Sequence, residues 1–301
     1  IIMALDQCTS DTAKKDEART ALELTNTWLL RGIKEWQKHD PDKQALFGII
    51  QGALHQDLRH EAAQFVVSKN LPGIAIGGET IGYNMTGTKE VIDWIAPLLP
   101  ENKPRYAMGL GSKPSDVLTA ISLGIDMFDC VAPTRLARNG ALYTGRVTMK
   151  NRQYCFESNY ENERINIGNK EFAADGGPID PDCDCPTCKN FTRAYLHHLF
   201  RAKELLYYSL ASVHNLRVMI KTVADAIALS SMPSELLFEH LNPRPADNCF
   251  VDVACTASDN LWRTDFNPNL LHRILKPYPN EYHFRRLIKL LNKFGVVAGN
   301  F

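Results

Sequence analysis

The sequence predicts an α/β protein built on a parallel sheet or barrel, and three observations predict it. Short apolar runs alternate with longer segments of helical period, in the order strand, polar loop, helix, five times over. The connections have the length of a βαβ crossover rather than that of a hairpin. A polar residue or a glycine follows each apolar run, at Asp6, Gln51, Gly77-Gly78, Gly109 and Asp129. In a parallel β/α protein such positions share one face, where sites are built. One such glycine makes only a turn; five polar or flexible strand ends in succession point to a site.

The elements follow in order. Ile1–Leu5 reads as a short buried strand and Asp6–Thr12 as the polar loop closing it. Asp11 or Thr12 is placed to cap a helix whose apolar positions are Ala18, Ala21, Leu22, Leu24, Trp28, Leu29 and Ile33. Pro41, within His39–Lys43, ends that helix, and Ala45–Ile50 is the next strand, delivering Gln51-Gly52. A helix from about His55 to Lys69 follows, and Pro72-Gly73 leads into the strand that ends at Gly77-Gly78. Glu90–Ala96 is helical, Arg105–Leu110 is a strand, and Pro114 opens a helix through Leu123. Ile125–Val131 is the last strand of this series, stopped by Pro133, with Arg135 and Arg138 in the glycine-bounded turn behind it.

Beyond Gly140 the pattern changes. Leu142–Met149 reads as a hairpin strand, Cys155–Lys170 as a polar surface excursion, and Gly176–Cys188 as an irregular Gly/Pro/Asp/Cys loop. Helices are expected from Phe191 and again from Val213 to about Leu229, with a boundary at Ser230–Pro233. In the tail, Leu287, Leu290 and Leu291 stand at helical spacing within the basic stretch Tyr282–Lys293.

The totals bound the function. With 45% hydrophobic and 23% charged residues, 301 residues suffice for a sizeable core in one large domain or two modest ones. Thirty-four basic and 34 acidic residues cancel, so any attraction for nucleic acid must come from a local patch. No apolar run approaches the roughly 18–20 residues that span a bilayer. Eight cysteines, three of them within six positions, fit a reducing compartment such as the cytoplasm and a metal site better than a disulfide framework. The chain opens directly on an apolar run with no initiator Met, which predicts that an upstream part is missing.

Two constellations carry chemistry. Cys183, Cys185 and Cys188 form a C-x-C-x2-C loop able to aim three thiolates at one point, and a structural zinc needs a fourth ligand. His197, His198 and His214 are the downstream candidates. The second constellation is Gly124–Gly140, GIDMFDCVAPTRLARNG. Asp126 and Asp129 are three apart and leave a strand on opposite faces, so only one can point into a site. Arg135 and Arg138 fit a phosphate-reading loop or ordinary surface ion pairs.

Together these pieces resemble the tRNA-guanine transglycosylases, enzymes that exchange a genetically encoded guanine for a 7-deazaguanine base. The matching segments are LDQCT (Leu5–Thr9), FGIIQG (Phe47–Gly52), AIGG (Ala75–Gly78), RYAMGLG (Arg105–Gly111), the Gly124–Gly140 stretch, CDCPTC, and RAYLHHL to HNL (Arg193–Leu216). They occur in family order over about Ile1–Leu229, and only their combination is specific.

The resemblance implies a zinc-containing (β/α)8 TIM-type barrel, here incomplete at its N-terminus. It implies Asp129 as the nucleophile on the ribose C1′, with Asp126 structural. Asp6 would read the base, Gln51 and the Gly78 N–H would serve its carbonyl, and Cys8, Met108 and Gly109 would line the pocket. Arg135 and Arg138 would grip the tRNA anticodon region; Cys183, Cys185, Cys188 and His214 would bind Zn2+. Implied partners are tRNA, a preQ1 or queuine base, and a second copy in a homodimer. The family's D-S-G-G-F-Q segment, with its general acid/base Asp, does not occur in this sequence. The chain also reads GGETIGY where bacterial members usually read GGLAVGE, so Glu79 replaces an apolar residue and Tyr83 a carboxylate that helps recognise the aminomethyl group of preQ1. The expected organisation is 1–150 as the C-terminal portion of the barrel, 151–229 as a zinc-binding subdomain with packing helices, and 230–301 as an unassigned extension. The competing reading is a non-catalytic tRNA-binding partner subunit of the same fold.

Overall fold

The computed structural model describes residues 1–39, 43–150 and 153–230. The expectations for the tail, including the helical spacing in 282–293, lie outside these residues. The described chain forms two compact units, Ile1–Leu110 with Ala120–Asp129, and Gly111–Thr119 with the residues from Cys130 onward.

The first unit is a five-stranded parallel sheet in sequence order: β1 (Ile2–Met3), β2 (Leu46–Ile50), β3 (Gly73–Ile76), β4 (Arg105–Ala107) and β5 (Met127–Phe128). In chain order between them come α1 (Lys15–Trp36), α2 (Gln56–Ser68), the short α3 (Thr80–Tyr83), α4 (Met85–Ile95) and α5 (Pro114–Ser122), the last belonging to the second unit up to Thr119. β2 and β3 are buried at every position, as their continuous apolar sequences require of strands covered on both faces. α1 turns Ala18, Ala21, Leu22, Thr25 and Leu29 inward at helical spacing, and Asp16 and Glu17 complement the dipole of its first turn.

Several boundaries differ from the sequence expectation, each for a local reason. Of the Ile1–Leu5 run only Ala4 is buried, while Ile2 is 36% and Leu5 74% exposed, because among the described residues β1 is the outer strand, paired only with β2. Neither Asp11 nor Thr12 caps α1. Ser10 accepts from the Thr12 N–H and its carbonyl from Ala13, so these residues close a turn of their own before Lys15. α4 starts at Met85 because Asn84 accepts from the Gly87 N–H and fixes the N-terminus there. β4 stops at Ala107, ahead of Gly109 at φ +75°. The Ile125–Val131 run pairs only over Met127–Phe128.

Gly73 shows how tightly β2 and β3 meet. A Cβ there would lie 2.2 Å from the Phe47 ring, with Phe47 1% exposed. Gly73→Ala is therefore expected to destabilise this unit by about 1–3 kcal/mol, read as a lower denaturant midpoint at unchanged slope.

In the second unit Arg135 and Arg138 lie on a helix, α6 (Ala132–Arg138), and not in a turn; Pro133 in its first turn starts it. β6 (Ala141–Tyr143) pairs antiparallel with β9 (Arg164–Asn166), and β7 (Arg146–Lys150) with β8 (Gln153–Glu157). The expected single strand Leu142–Met149 is thus two. It breaks at Gly145, whose N–H leaves the ladder for the Asp180 carboxylate. Cys155–Lys170 is no mere surface excursion, since Ile165 and Ile167 are buried in this unit's core. α7 (Pro186–Asn190), α8 (Arg193–Ala202) and α9 (Leu205–Ser230) complete it. Lys203, at φ +58°, ends α8, and α9 begins eight residues before the expected Val213, its buried face running Tyr207, Ala211, His214, Val218. Among the described residues no helix is long and apolar enough to cross a membrane.

Candidate active site and metal centre

In the first unit the polar strand ends converge. Asp6, just past β1, accepts at Oδ2 from the Gln51 Nε2 at the end of β2, 2.5 Å away. Gln51 is fully buried, and its Oε1 has no partner among the described residues. At the end of β3, a Cβ on Gly77 would stand 2.9 Å from Gln51 Nε2 and 3.5 Å from the Met108 sulfur, and one on Gly78 3.2 Å from Gln51 Oε1. Asp6, Gln51, Gly78 and Met108 therefore meet at adjacent strand ends. Cys8 follows on the Asp6 loop, where partial burial, then the carboxylates of Asp6 and Glu79, push its thiol up and keep it protonated.

Asp129 is an exposed carboxylate just beyond β5. Its Oδ1 accepts from the Tyr106 hydroxyl at 2.5 Å and from the Gly109 N–H at 3.1 Å. Oδ2 has no hydrogen-bond partner among the described residues. Partial burial, then the hydrogen bond and charge of Asp129, raise the Tyr106 pKa, so the phenol stays a donor. Asp126 faces the other way and accepts from the Arg105 N–H at 2.8 Å, pinning β5 to β4. Tyr106 was not singled out from the sequence. Strand alternation puts it on the opposite face from Arg105 and Ala107, but only the β4–β5 pairing of Ala107 with Phe128 brings it to Asp129.

Arg135 and Arg138, in the second unit, are exposed on α6, and neither has an ion-pair partner among the described residues.

A cluster able to hold a metal ion also lies in the second unit. The ligand atoms of Cys183, Cys185, Cys188 and His214 all fall within 4.8 Å of one another and could hold a metal ion. His214 Nδ1 is 3.6, 3.6 and 3.3 Å from the three sulfurs. Its Nε2 lies 2.7 Å from the Tyr143 carbonyl, which assigns the proton to Nε2 and leaves the Nδ1 lone pair to the thiols. With no cation between them, burial disfavours a second proton on His214, at Nδ1, while hydrogen bonds with Cys183 and Cys185 favour it. A bound cation would displace such protons. His197 instead bonds the Ile167 carbonyl, and His198 is solvent-exposed. Next to the ligand, Asn215 accepts from the Tyr143 N–H and donates to the carbonyls of Pro133 and Ala141, tying α9 to α6 and β6. Arg217 grips Asp184 through two 2.6 Å bonds, so Asp184 between two of the cysteines points outward.

Residues 1–228 match the family model described as queuine tRNA-ribosyltransferase. Among curated proteins the chain is 45% identical over 226 residues to a queuine tRNA-ribosyltransferase of Herpetosiphon aurantiacus, covering 75% of this chain and 53% of that protein. It is 43% identical to those of Dictyoglomus turgidum (75% and 54%) and Streptococcus suis (75% and 56%). The chain spans about half the length of these relatives.

Proposed function

Because the chain belongs to the queuine tRNA-ribosyltransferase family, we propose that it serves a tRNA-guanine transglycosylase, exchanging the anticodon wobble guanine for preQ1 or queuine. The observation that carries this reading is Asp129, held at Oδ1 by Tyr106 and Gly109 with Oδ2 left over. A carboxylate oriented through one oxygen presents the other as a nucleophile.

Oδ2 attacks the ribose C1′ as the C1′–N9 bond breaks and its electron pair leaves with guanine. The departing guanine takes up a proton, and the incoming base gives up its N9 proton as it attacks C1′, expelling the carboxylate and restoring the original stereochemistry, the double displacement of a retaining glycosidase. The target base leaves the stack to reach this point. Asp6 accepts from the paired N–H donors of the base. The Gly78 N–H and the Nε2 hydrogen that Gln51 does not give to Asp6 donate to its carbonyl, and Cys8, Met108 and Gly109 line the pocket. Arg135 and Arg138 take phosphates of the anticodon region, consistent with their exposure and lack of partners.

The five parallel strands belong, in this reading, to a (β/α)8 barrel, and the protein is a cytoplasmic homodimer. Free cysteines among the described residues suit that compartment. The metal is a structural zinc. A tetrahedral ion with ordinary Zn–S and Zn–N bonds separates sulfur from nitrogen by about 3.6 Å, and the three distances to His214 Nδ1 are 3.3–3.6 Å. Bound zinc would hold the cysteine loop on α9 and supply no step of the exchange.

The test is incubation of the intact protein with tRNA and labelled guanine, preQ1 or queuine, following label entering tRNA. No exchange with any base overturns the reading. Tyr106→Phe removes one of the two donors that orient Asp129. It is expected to slow base exchange about tenfold or more while leaving the KM for tRNA unchanged.

A further inference from the structure

Arg59, in the second turn of α2, is fully buried, yet it has no ion-pair partner among the described residues. Its guanidinium is spent on backbone carbonyls. Nε donates to Ala53 at 2.9 Å, and Nη1 donates to both Ile50 at 2.8 Å and Gly77 at 2.9 Å. Ile50 and Gly77 immediately precede Gln51 and Gly78. Nη2 is buried without a hydrogen-bond partner among the described residues, as is Gln51 Oε1. Both face the side-chain position that Gly78 lacks, at 3.0 and 3.2 Å from a Cβ built there. Burial draws the Arg59 pKa down to about 9, which leaves a cation at neutral pH.

The peptide plane converts this into direction. The Gly77 carbonyl and the Gly78 N–H belong to one trans peptide and point oppositely. A guanidinium holding the carbonyl therefore aims the N–H away from itself, and that N–H has no partner among the described residues. Gly78 sits at φ +104°, a conformation its lack of a Cβ permits but does not enforce. The bond from Arg59 fixes the peptide plane that precedes Gly78.

We infer that Arg59 is the positioning residue of the base pocket: through the Gly77 carbonyl it fixes and polarises the Gly78 N–H that meets the oxygen of the base. The inference rests on the transglycosylase reading. When the C1′–N9 bond breaks, its electron pair spreads over the purine towards that oxygen. A buried cation one peptide away strengthens the donor as the charge develops, without itself touching the base.

The test uses Arg59→Gln and Arg59→Lys in the intact protein, with unfolding and metal content checked first. Covalent capture of tRNA, measured in a single turnover, is expected to slow about 10²-fold in Arg59→Gln with the tRNA affinity unchanged. Arg59→Lys, which keeps the cation, recovers part of the loss. A folded Arg59→Gln protein with wild-type capture rates overturns the inference. If neither variant folds, the wild type decides through NMR: guanine binding must shift the Gly78 amide and the Arg59 guanidinium protons together. Saturable guanine binding that leaves both unmoved overturns it. A wild type that neither binds guanine nor captures tRNA overturns the transglycosylase reading itself.

Discussion

Asp129→Asn is expected to abolish covalent capture of tRNA, slowing it about 10⁴-fold or more, while tRNA binding persists. The substitution is nearly isosteric. The Asn oxygen can still accept from Tyr106 and Gly109, so the strand end keeps its arrangement. What disappears is the second oxygen, replaced by an amide nitrogen whose lone pair is delocalised and does not attack C1′. Denaturing electrophoresis of the intact protein with labelled tRNA reads this directly, since only an ester survives denaturation. A non-catalytic tRNA-binding subunit would behave differently: wild type and variant would bind tRNA alike and neither would trap it. A wild type that never traps tRNA therefore refutes the enzyme reading. Trapping that survives in the variant moves the nucleophile elsewhere.

Cys185→Ser should lose the metal. Cys185 lies in the middle of the cluster, 1% exposed, and its sulfur also accepts from the Cys188 N–H at the start of α7. A serine hydroxyl is a poor substitute for a thiolate, and the lost affinity should exceed the about 10–100-fold that removal of an outer partner costs. Because such sites form only with folding, the second unit should lose on the order of 3 kcal/mol or more. Metal content by mass spectrometry and thermal unfolding check the two parts separately. Full metal occupancy in the variant refutes the ligand assignment.

The parallel sheet was legible in the sequence because its information is local. Leu46–Ile50 is apolar at every position, and the face of α1 follows a 3.6-residue period that needs no tertiary knowledge. The cysteine loop was legible for the same reason, three thiols in six residues. What could not be read depends on distant partners. Tyr106 reaches Asp129 across 23 positions, and nothing in RYAMGLG says that its hydroxyl will find a carboxylate. Spacing left His197, His198 and His214 equivalent; the family resemblance chose, and the geometry gives the reason, a Tyr143 carbonyl 71 positions away that orients one ring. Arg59 carries no local signal either, because nothing in its neighbourhood of sequence reveals that its side chain will be enclosed. The early start of α9 was hidden by the exposed Leu205 and Leu206, which blur its buried stripe.

His214 and Asn215 are consecutive, and their side chains do different jobs. One belongs to the metal cluster, and the other binds the carbonyl of Pro133 within the helix that bears Arg135 and Arg138. If Arg135 and Arg138 hold tRNA as proposed, metal occupancy and RNA grip are in thermodynamic linkage. On that reading chelation should weaken tRNA binding through the α9 backbone, while guanine affinity, which the proposed function gives to residues of the other unit, changes little. By reciprocity, tRNA must raise the affinity for the metal by the same factor by which the metal raises the affinity for tRNA. A chelator competition run with and without tRNA measures that factor.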